Sequence, residues 1–223
     1  MPRTPENFDF WYALANTELV ETPSASLETF GTTLLNYRLL TEPMDSVSRV
    51  RVREGRIQAL RPEILTPDSF SGSPLEGFQS PDAEEFVRWL KAHAGDISIL
   101  RYGFRIRHET IRETLLTDSL EAVLDRVKDE LRLHPDPLAA IVVGVEEPWE
   151  VSLLKLLFAV VRHSAAANAR DLRADPDGSR HEIEAAFRAA ARDRSRLPAL
   201  AAVLQRHRCF EQYQDRFFAL VRR

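Results

Sequence analysis

Arginine side chains recur at alternating positions in two stretches of the chain, and guanidinium groups at that spacing can bind anions. The first stretch contains Arg49, Arg51, Arg53 and Arg56, and the second contains Arg101, Arg105 and Arg107. Alternate residues of a β-strand point to the same side of a sheet, so each stretch predicts a strand with a basic face. Such a face can contact the phosphates of a nucleic acid or the carboxylates of a protein. These seven arginines are therefore candidate binding residues.

A two-residue hairpin turn at Glu54-Gly55 would place the first four arginines on one face. Arg53 and Arg56 would then lie opposite each other, with the apolar residues of the segment on the other face. Like charges directly opposite each other destabilise a sheet by up to about 1 kcal/mol, so an anion is expected nearby. That anion is either a carboxylate of the chain itself or part of a bound partner. The abundance of arginine and the acidic balance of the chain favour internal pairing over a protein or nucleic-acid partner.

The stretch that contains Glu146, Glu147, Pro148 and Trp149 is the second candidate site. It follows an apolar segment, 138–145, whose lack of alternation indicates a central strand covered on both faces. Ligands of open α/β sheets bind beyond the carboxyl ends of the strands, which makes Glu146, Glu147 and Trp149 pocket candidates. A cation, an amine or an arginine fits this turn better than a phosphate, because Pro148 lacks an N–H and the glutamates repel anions. The simpler interpretation is that the glutamates stabilise the dipole of the following helix while Trp149 fills the core.

The sequence contains no motif of known chemistry. None of the six histidines has another three or four residues away, and Cys209 is the single cysteine, so no metal site is expected. Glycine-rich phosphate loops and the nucleophile turn of serine hydrolases are missing. The segment 173–184 has some acidic residues of a calcium loop, but Arg173 stands where the first aspartate is needed. We therefore predict no metal and no cofactor, and the sequence favours a non-catalytic protein.

Composition sets the broad class of the protein. The chain has 223 residues and a net charge of −4, which gives no general attraction to nucleic acids or anionic membranes. Only three of the 30 basic residues are lysine, a bias typical of GC-rich bacterial genomes. The apolar runs are shorter than the roughly 20 residues that span a bilayer, and the first residues lack a signal-peptide pattern. We expect a cytoplasmic protein that does not insert into membranes.

Hydrophobic periodicity predicts an α+β fold in three parts. The first part, 1–68, is β-rich, with a short helix followed by an antiparallel hairpin region. A linker rich in proline and glycine, 69–81, leads to a central β-α-β-α unit at 82–170, and 171–223 is all helical. These parts form either separate domains or one compact domain.

Within the last two parts, local patterns predict individual elements. A helix begins at Ser80-Pro81 and ends at Gly95, and the segment 97–106 forms one strand that carries the second arginine set. Asp118 and Ser179 are predicted helix caps, each with a glutamate three residues later.

Three functional hypotheses follow, in this order. The first is a regulatory or interaction protein that binds a protein partner, or itself, through the arginine-faced sheet or apolar helices. The second is a nucleic-acid-binding protein that uses the arginine faces. The third is an enzyme with a site at 145–150.

Overall fold

The computed structural model describes residues 5–44, 48–65 and 99–222. The predicted linker at 69–81 and the helix predicted from Ser80 to Gly95 lie outside these residues. The chain divides into two compact units, Met1–Asn168 and Ala169–Arg223. The first unit combines a sheet with helices and the second is helical, which confirms the α+β class.

The first unit contains eight described strands and three described helices, the last of which continues past Asn168. In chain order these are α1 Pro5–Ala15, β1 Glu18–Glu21, β2 Thr33–Thr41, β3 Val50–Ala59, β4 Glu63–Leu65, β5 Ile99–Arg101, β6 Phe104–Ile106, β7 Arg112–Leu116, α2 Leu120–Leu133, β8 Ala139–Gly144 and α3 Glu150–Ala174. The main sheet has the order β1-β8-β2-β3, and β6 and β7 both pair with β3. Strands β4 and β5 form a separate two-stranded sheet.

Strand β8 is central, as the lack of alternation in its sequence predicts. It lies between β1, to which it is antiparallel, and β2, to which it is parallel. Ile141 and Val142 are successive residues on opposite faces, and both are fully buried. A strand covered on both faces needs apolar residues at every position, and this requirement explains the continuous apolar run.

The hairpin turn predicted at Glu54-Gly55 is wrong, because both residues lie within the single strand β3. The antiparallel hairpin region exists, but it is formed by β2 and β3, and β3 runs straight through Gly55. Gly55 pairs with Tyr37, and a Cβ atom on Gly55 would lie 2.5 Å from the Tyr37 Oη. The glycine is therefore required because the tyrosine ring lies against its Cα, and no turn is formed there.

The two faces of the main sheet are covered differently. Helix α3 packs its Leu153, Leu156 and Val160 against one face, where the core includes Leu35, Leu39 and Ile57. On the opposite face, α2 packs Val123 and Val127 against Leu40, Val50, Val52 and Ile141. Helix α2 covers only the apolar half of this sheet face, and the other half of the face carries polar residues.

Several predicted boundaries shift in the structure. The single strand expected at 97–106 is two strands, β5 and β6, which belong to different sheets. Ser119 rather than Asp118 caps α2, because its hydroxyl accepts a hydrogen bond from the Ala122 N–H at 3.2 Å. Helix α3 buries Leu153 and Leu156, but its Phe158 side chain is 66% exposed.

The second unit contains three further helices, α4 Ser179–Arg192, α5 Leu197–Arg206 and α6 Phe210–Arg222. Their core includes Phe187, Leu200 and Leu204. The cap predicted at Ser179 is wrong, because Gly178 occupies the cap position and the Asp175 carboxylate accepts from the next free N–H groups of α4. Among all helices that the structure describes, none is long and apolar enough to cross a membrane.

Candidate functional site

A basic depression lies on the polar half of the face that α2 partly covers. Along β3, the residues on this face change from Val50 and Val52 to Glu54, Arg56 and Gln58. Helix α2 ends beside the polar half, where Glu130, Leu131 and His134 form its wall. The cavity has a volume of about 1050 Å³ and is open to solvent. We call it the basin, and its charged lining residues are Arg38, Glu54, Arg56, Arg105, Arg107, Arg112, Glu130 and Asp136.

The strand register fixes where these side chains start. Arg38 of β2 and Arg112 of β7 both pair with Glu54, one on each side of β3. Arg105 of β6 pairs with Gln58. Continuing that register by one residue places Arg107 opposite Arg56. Side chains opposite each other in neighbouring strands start about 5 Å apart, so the basin is a dense array of charge.

The carboxylates of the basin already have partners. Arg38 binds both Glu54, at 2.8 Å, and Glu130, at 3.0 Å. Asp136 accepts from the Asn36 side chain at 2.6 Å and from the Leu138 N–H at 2.9 Å. No described carboxylate forms an ion pair with the four remaining arginines, which are Arg56, Arg105, Arg107 and Arg112. All four are exposed.

The basin is therefore positive in a chain that is negative overall. Its five arginines and three carboxylates give a charge of +2 (five minus three), against −4 for the whole chain. Guanidinium groups stay protonated in proteins, so they supply fixed charge and planar sets of N–H donors but cannot exchange protons in catalysis. This chemistry suits binding of anions.

A second arginine cluster is buried on the α3 face of the sheet. Arg53 is 2% exposed, and its guanidinium donates to Glu146 at 3.1 and 3.2 Å and to Glu113 at 2.9 Å. The Trp149 ring covers it, with the ring centroid 5.2 Å from the Arg53 Cζ. Arg51 also binds Glu146, and so does the hydroxyl of Thr41. Internal pairing is thus what the structure shows for these two arginines.

The Glu146 carboxylate has no free acceptor position in this cluster. One oxygen accepts from Thr41 and Arg53, and the other accepts from Arg51 and Arg53. Two oxygens offer about four acceptor sites in total. A substrate could reach this carboxylate only by displacing Thr41, Arg51 or Arg53, so the fold does not present Glu146 as an open binding group.

Burial and ion pairing have opposite effects on the pKa values of Glu146 and Arg53. Burial alone would raise the pKa of Glu146, but the Thr41 and Arg53 hydrogen bonds and the two arginine charges outweigh it and lower the pKa. For Arg53, burial would lower the pKa, and the contacts with Glu146 and Glu113 raise it instead. Both groups are therefore charged at neutral pH, and each holds the other in its charged form.

The arginines of the first predicted set do not share a face, because β3 has no turn at Gly55. Arg51 and Arg53 point towards α3, with Ile57 and Ala59, while Arg56 points into the basin. Arg49 precedes β3 and is exposed. The physical reason is the continuous two-residue period of the strand, which separates odd from even positions.

The second predicted set is also divided. Arg105 and Arg107 line the basin, as their alternation predicts, and Phe104 and Ile106 lie on the apolar side. Arg101 belongs to β5 and binds Glu63 of β4 in the small sheet. Of the three pocket candidates at the turn, Glu146 and Trp149 surround Arg53, and Glu147 is exposed.

Sequence reasoning missed Arg38 and Arg112 as basin residues. Strand β2 carries a signal that could have found Arg38, since Leu35, Tyr37 and Leu39 alternate with polar residues. For Arg112 the signal is weaker, because all but one residue of β7 are exposed and the strand shows no buried period.

The described residues contain no candidate metal site, and the chain matches no known protein it was compared with. Across the described residues, no group of three or more histidine, cysteine or acidic side chains could hold a metal ion. No protein-family model, no curated protein and no solved structure matches this chain.

Proposed function

We propose that this chain is a non-catalytic binding protein that takes an acidic segment of a partner protein into the basin. The observation that carries the proposal is the group of four exposed basin arginines without a described carboxylate partner: Arg56, Arg105, Arg107 and Arg112. Like charges that converge in this way repel each other, and a bound anion relieves that repulsion. Arginine is the side chain best suited to such a site, because its planar fork matches a carboxylate.

A protein partner accounts for the basin better than a nucleic acid does. Glu54, Glu130 and Asp136 lie among the arginines, so the basin does not offer the continuous basic surface that a row of phosphates contacts. Besides His134, the lining contains one aromatic residue, Tyr37, whose ring lies in the core of the opposite face, so bases have little aromatic surface on which to stack. A protein segment carries N–H donors as well as carboxylates, so it can satisfy both signs of charge.

The experiment measures binding of a fluorescein-labelled hexaglutamate peptide by fluorescence anisotropy at low salt. We expect saturable binding that weakens as salt rises, because the contacts are solvent-exposed ion pairs. A double variant, Arg56→Gln with Arg107→Gln, removes two of the converging charges. At about 0.7 kcal/mol for each exposed contact, the double variant should bind about 10-fold more weakly.

Arg49→Gln is the matched control, because Arg49 is also exposed, has no described ion pair and lies outside the basin. It should bind the peptide within about 2-fold of the native affinity, a change of under 0.5 kcal/mol. Equal loss in Arg49→Gln and in the double variant would contradict the proposal, and so would the absence of binding at low salt. Preferential binding of a 12-residue oligothymidylate by the same basin would replace the acidic protein segment with a nucleic acid.

A further inference from the structure

We infer that the partner segment binds in extended form and lies along β3, in either chain direction, with acidic side chains at alternate positions. This inference rests on the proposed function and specifies the pattern of the segment. Its basis is the spacing of the free arginines, which the sheet itself sets.

Strands β6 and β7 form one interrupted edge along β3. Both are antiparallel to β3, and they pair with its two successive halves: β6 with Ile57–Ala59 and β7 with Val50–Glu54. The short 3-10 turn His108–Thr110 lies between them. The basin arginines of these strands therefore stand in a line beside β3 rather than in a round cluster.

That line has a regular step. Arg105 stands at the level of Gln58, Arg56 of β3 itself forms the next level, and Arg112 stands at the level of Glu54. Arg107 follows directly after β6, and the same register continued by one residue places it beside Arg56. Successive levels are two residues of β3 apart, which corresponds to about 6.7 Å. Glu54 does not neutralise Arg112 at the last level, because its carboxylate is bound to Arg38 of β2, on the other side of β3.

An extended peptide repeats its side chains on one face at the same interval, about 6.7 Å. Three acidic residues at positions i, i+2 and i+4 would therefore each meet one level of arginines. A helical segment has a pitch of about 5.4 Å, so its acidic face would be out of step by about 2.6 Å after two levels. A block of adjacent acidic residues in an extended chain would point half of its carboxylates away from the basin.

The test compares three labelled peptides with the same composition of five glutamates and five serines. One alternates the two residues, one places all glutamates in a single block, and one spaces them for a helical face. We expect the alternating peptide to bind the native protein at least 5-fold more tightly than the other two. Arg105→Gln with Arg112→Gln removes the two end levels and should reduce this preference to less than 2-fold, while Arg49→Gln should keep it.

The outcomes separate the two proposals. If no peptide binds at low salt, both the proposed function and this inference fail. If all three bind with equal affinity and the basin variants weaken them equally, the proposed function stands and the inference is overturned. Tighter binding of the helically spaced peptide would also overturn it.

Discussion

Glu146→Gln is the most informative single change, because it alters the charge at the centre of the buried cluster while it keeps the shape of the side chain. The native carboxylate accepts four hydrogen bonds, and three of its donor groups belong to Arg51 and Arg53. The amide of a glutamine offers one oxygen acceptor, and its NH₂ group would face a guanidinium that also only donates. Arg53 would then keep its positive charge in the core with one counter-ion fewer.

The expected cost in the free energy of unfolding is about 3 kcal/mol. Removing one partner of a buried ion pair costs about 3–5 kcal/mol, because the remaining charge is left uncompensated. Arg53 is only 2% exposed and Glu146 is 13% exposed, so this pair belongs to the buried class. The lower end of the range applies because Arg53 keeps its contact with Glu113, a side chain that is 49% exposed.

Urea unfolding followed by tryptophan fluorescence measures this cost, since Trp149 lies against Arg53. Glu147→Gln is the matched control: it makes the same chemical change one residue away, at an exposed side chain, and should alter the free energy of unfolding by less than about 0.5 kcal/mol. If Glu146→Gln costs no more than Glu147→Gln, then the Arg53 charge is compensated in another way, and our account of the cluster is wrong.

The same pair predicts the direction of a pH effect. The folded protein lowers the pKa of Glu146, so ionisation of this carboxylate stabilises the fold. This contribution is complete above the pKa of an unfolded glutamate, about 4.3, and is lost as the pH falls through the lower folded value. Glu146→Gln lacks the contribution at every pH, so the stability difference between native protein and variant should shrink below about pH 4. A constant difference from pH 7 to pH 3 would contradict the assigned direction.

Three further changes test individual packing features by thermal unfolding. Gly55→Ala should lower the free energy of unfolding by about 1–3 kcal/mol, because the Cβ of the alanine would lie 2.5 Å from the Tyr37 Oη. An unchanged midpoint of thermal unfolding would show that the tyrosine ring can move aside. Tyr37→Phe should raise the free energy of unfolding by about 1 kcal/mol, because the buried Tyr37 hydroxyl has no described hydrogen-bond partner. Burial also raises the pKa of this phenol to about 12. A loss of stability in the variant would reveal a partner for the hydroxyl. Asp175→Ala should lower the stability of the second unit by about 1 kcal/mol, because it removes the acceptor for the Arg180 and His181 N–H groups, and an effect below 0.3 kcal/mol would mean that water replaces it.

The elements that sequence reasoning placed correctly are those whose pattern has one physical explanation. The continuous apolar run of β8 can only be covered on both faces, and the structure confirms a central strand, which lies between β1 and β2. The helix predicted to follow the cap at Asp118 also exists, and its Val123 and Val127 pack against the sheet. In both cases burial alone determines the pattern.

The prediction at Glu54-Gly55 was wrong because the pair has two explanations and the sequence does not choose between them. An acidic residue followed by glycine is a strong signal for a two-residue turn. Glycine is also required where an aromatic ring from the next strand lies against the backbone, and Tyr37 is 18 positions away in the chain. That tertiary contact cannot be read from local pattern, so the register of β3, and with it the face of every arginine on it, could not be predicted.

The face on which each arginine lies depends on whether its position along β3 is odd or even. A turn at Gly55 would have placed Arg53 and Arg56 together, whereas a straight strand places an odd and an even position on opposite faces. On the face towards α3, Glu146 compensates Arg53, and that charge contributes to the stability of the core. On the other face, Arg56 points into the basin, where the described carboxylates are already bound by Arg38 and Asn36. One strand thus divides its positive charge between internal structure and a surface that lacks its counter-ion, and the second part is the one that an acidic partner would complete.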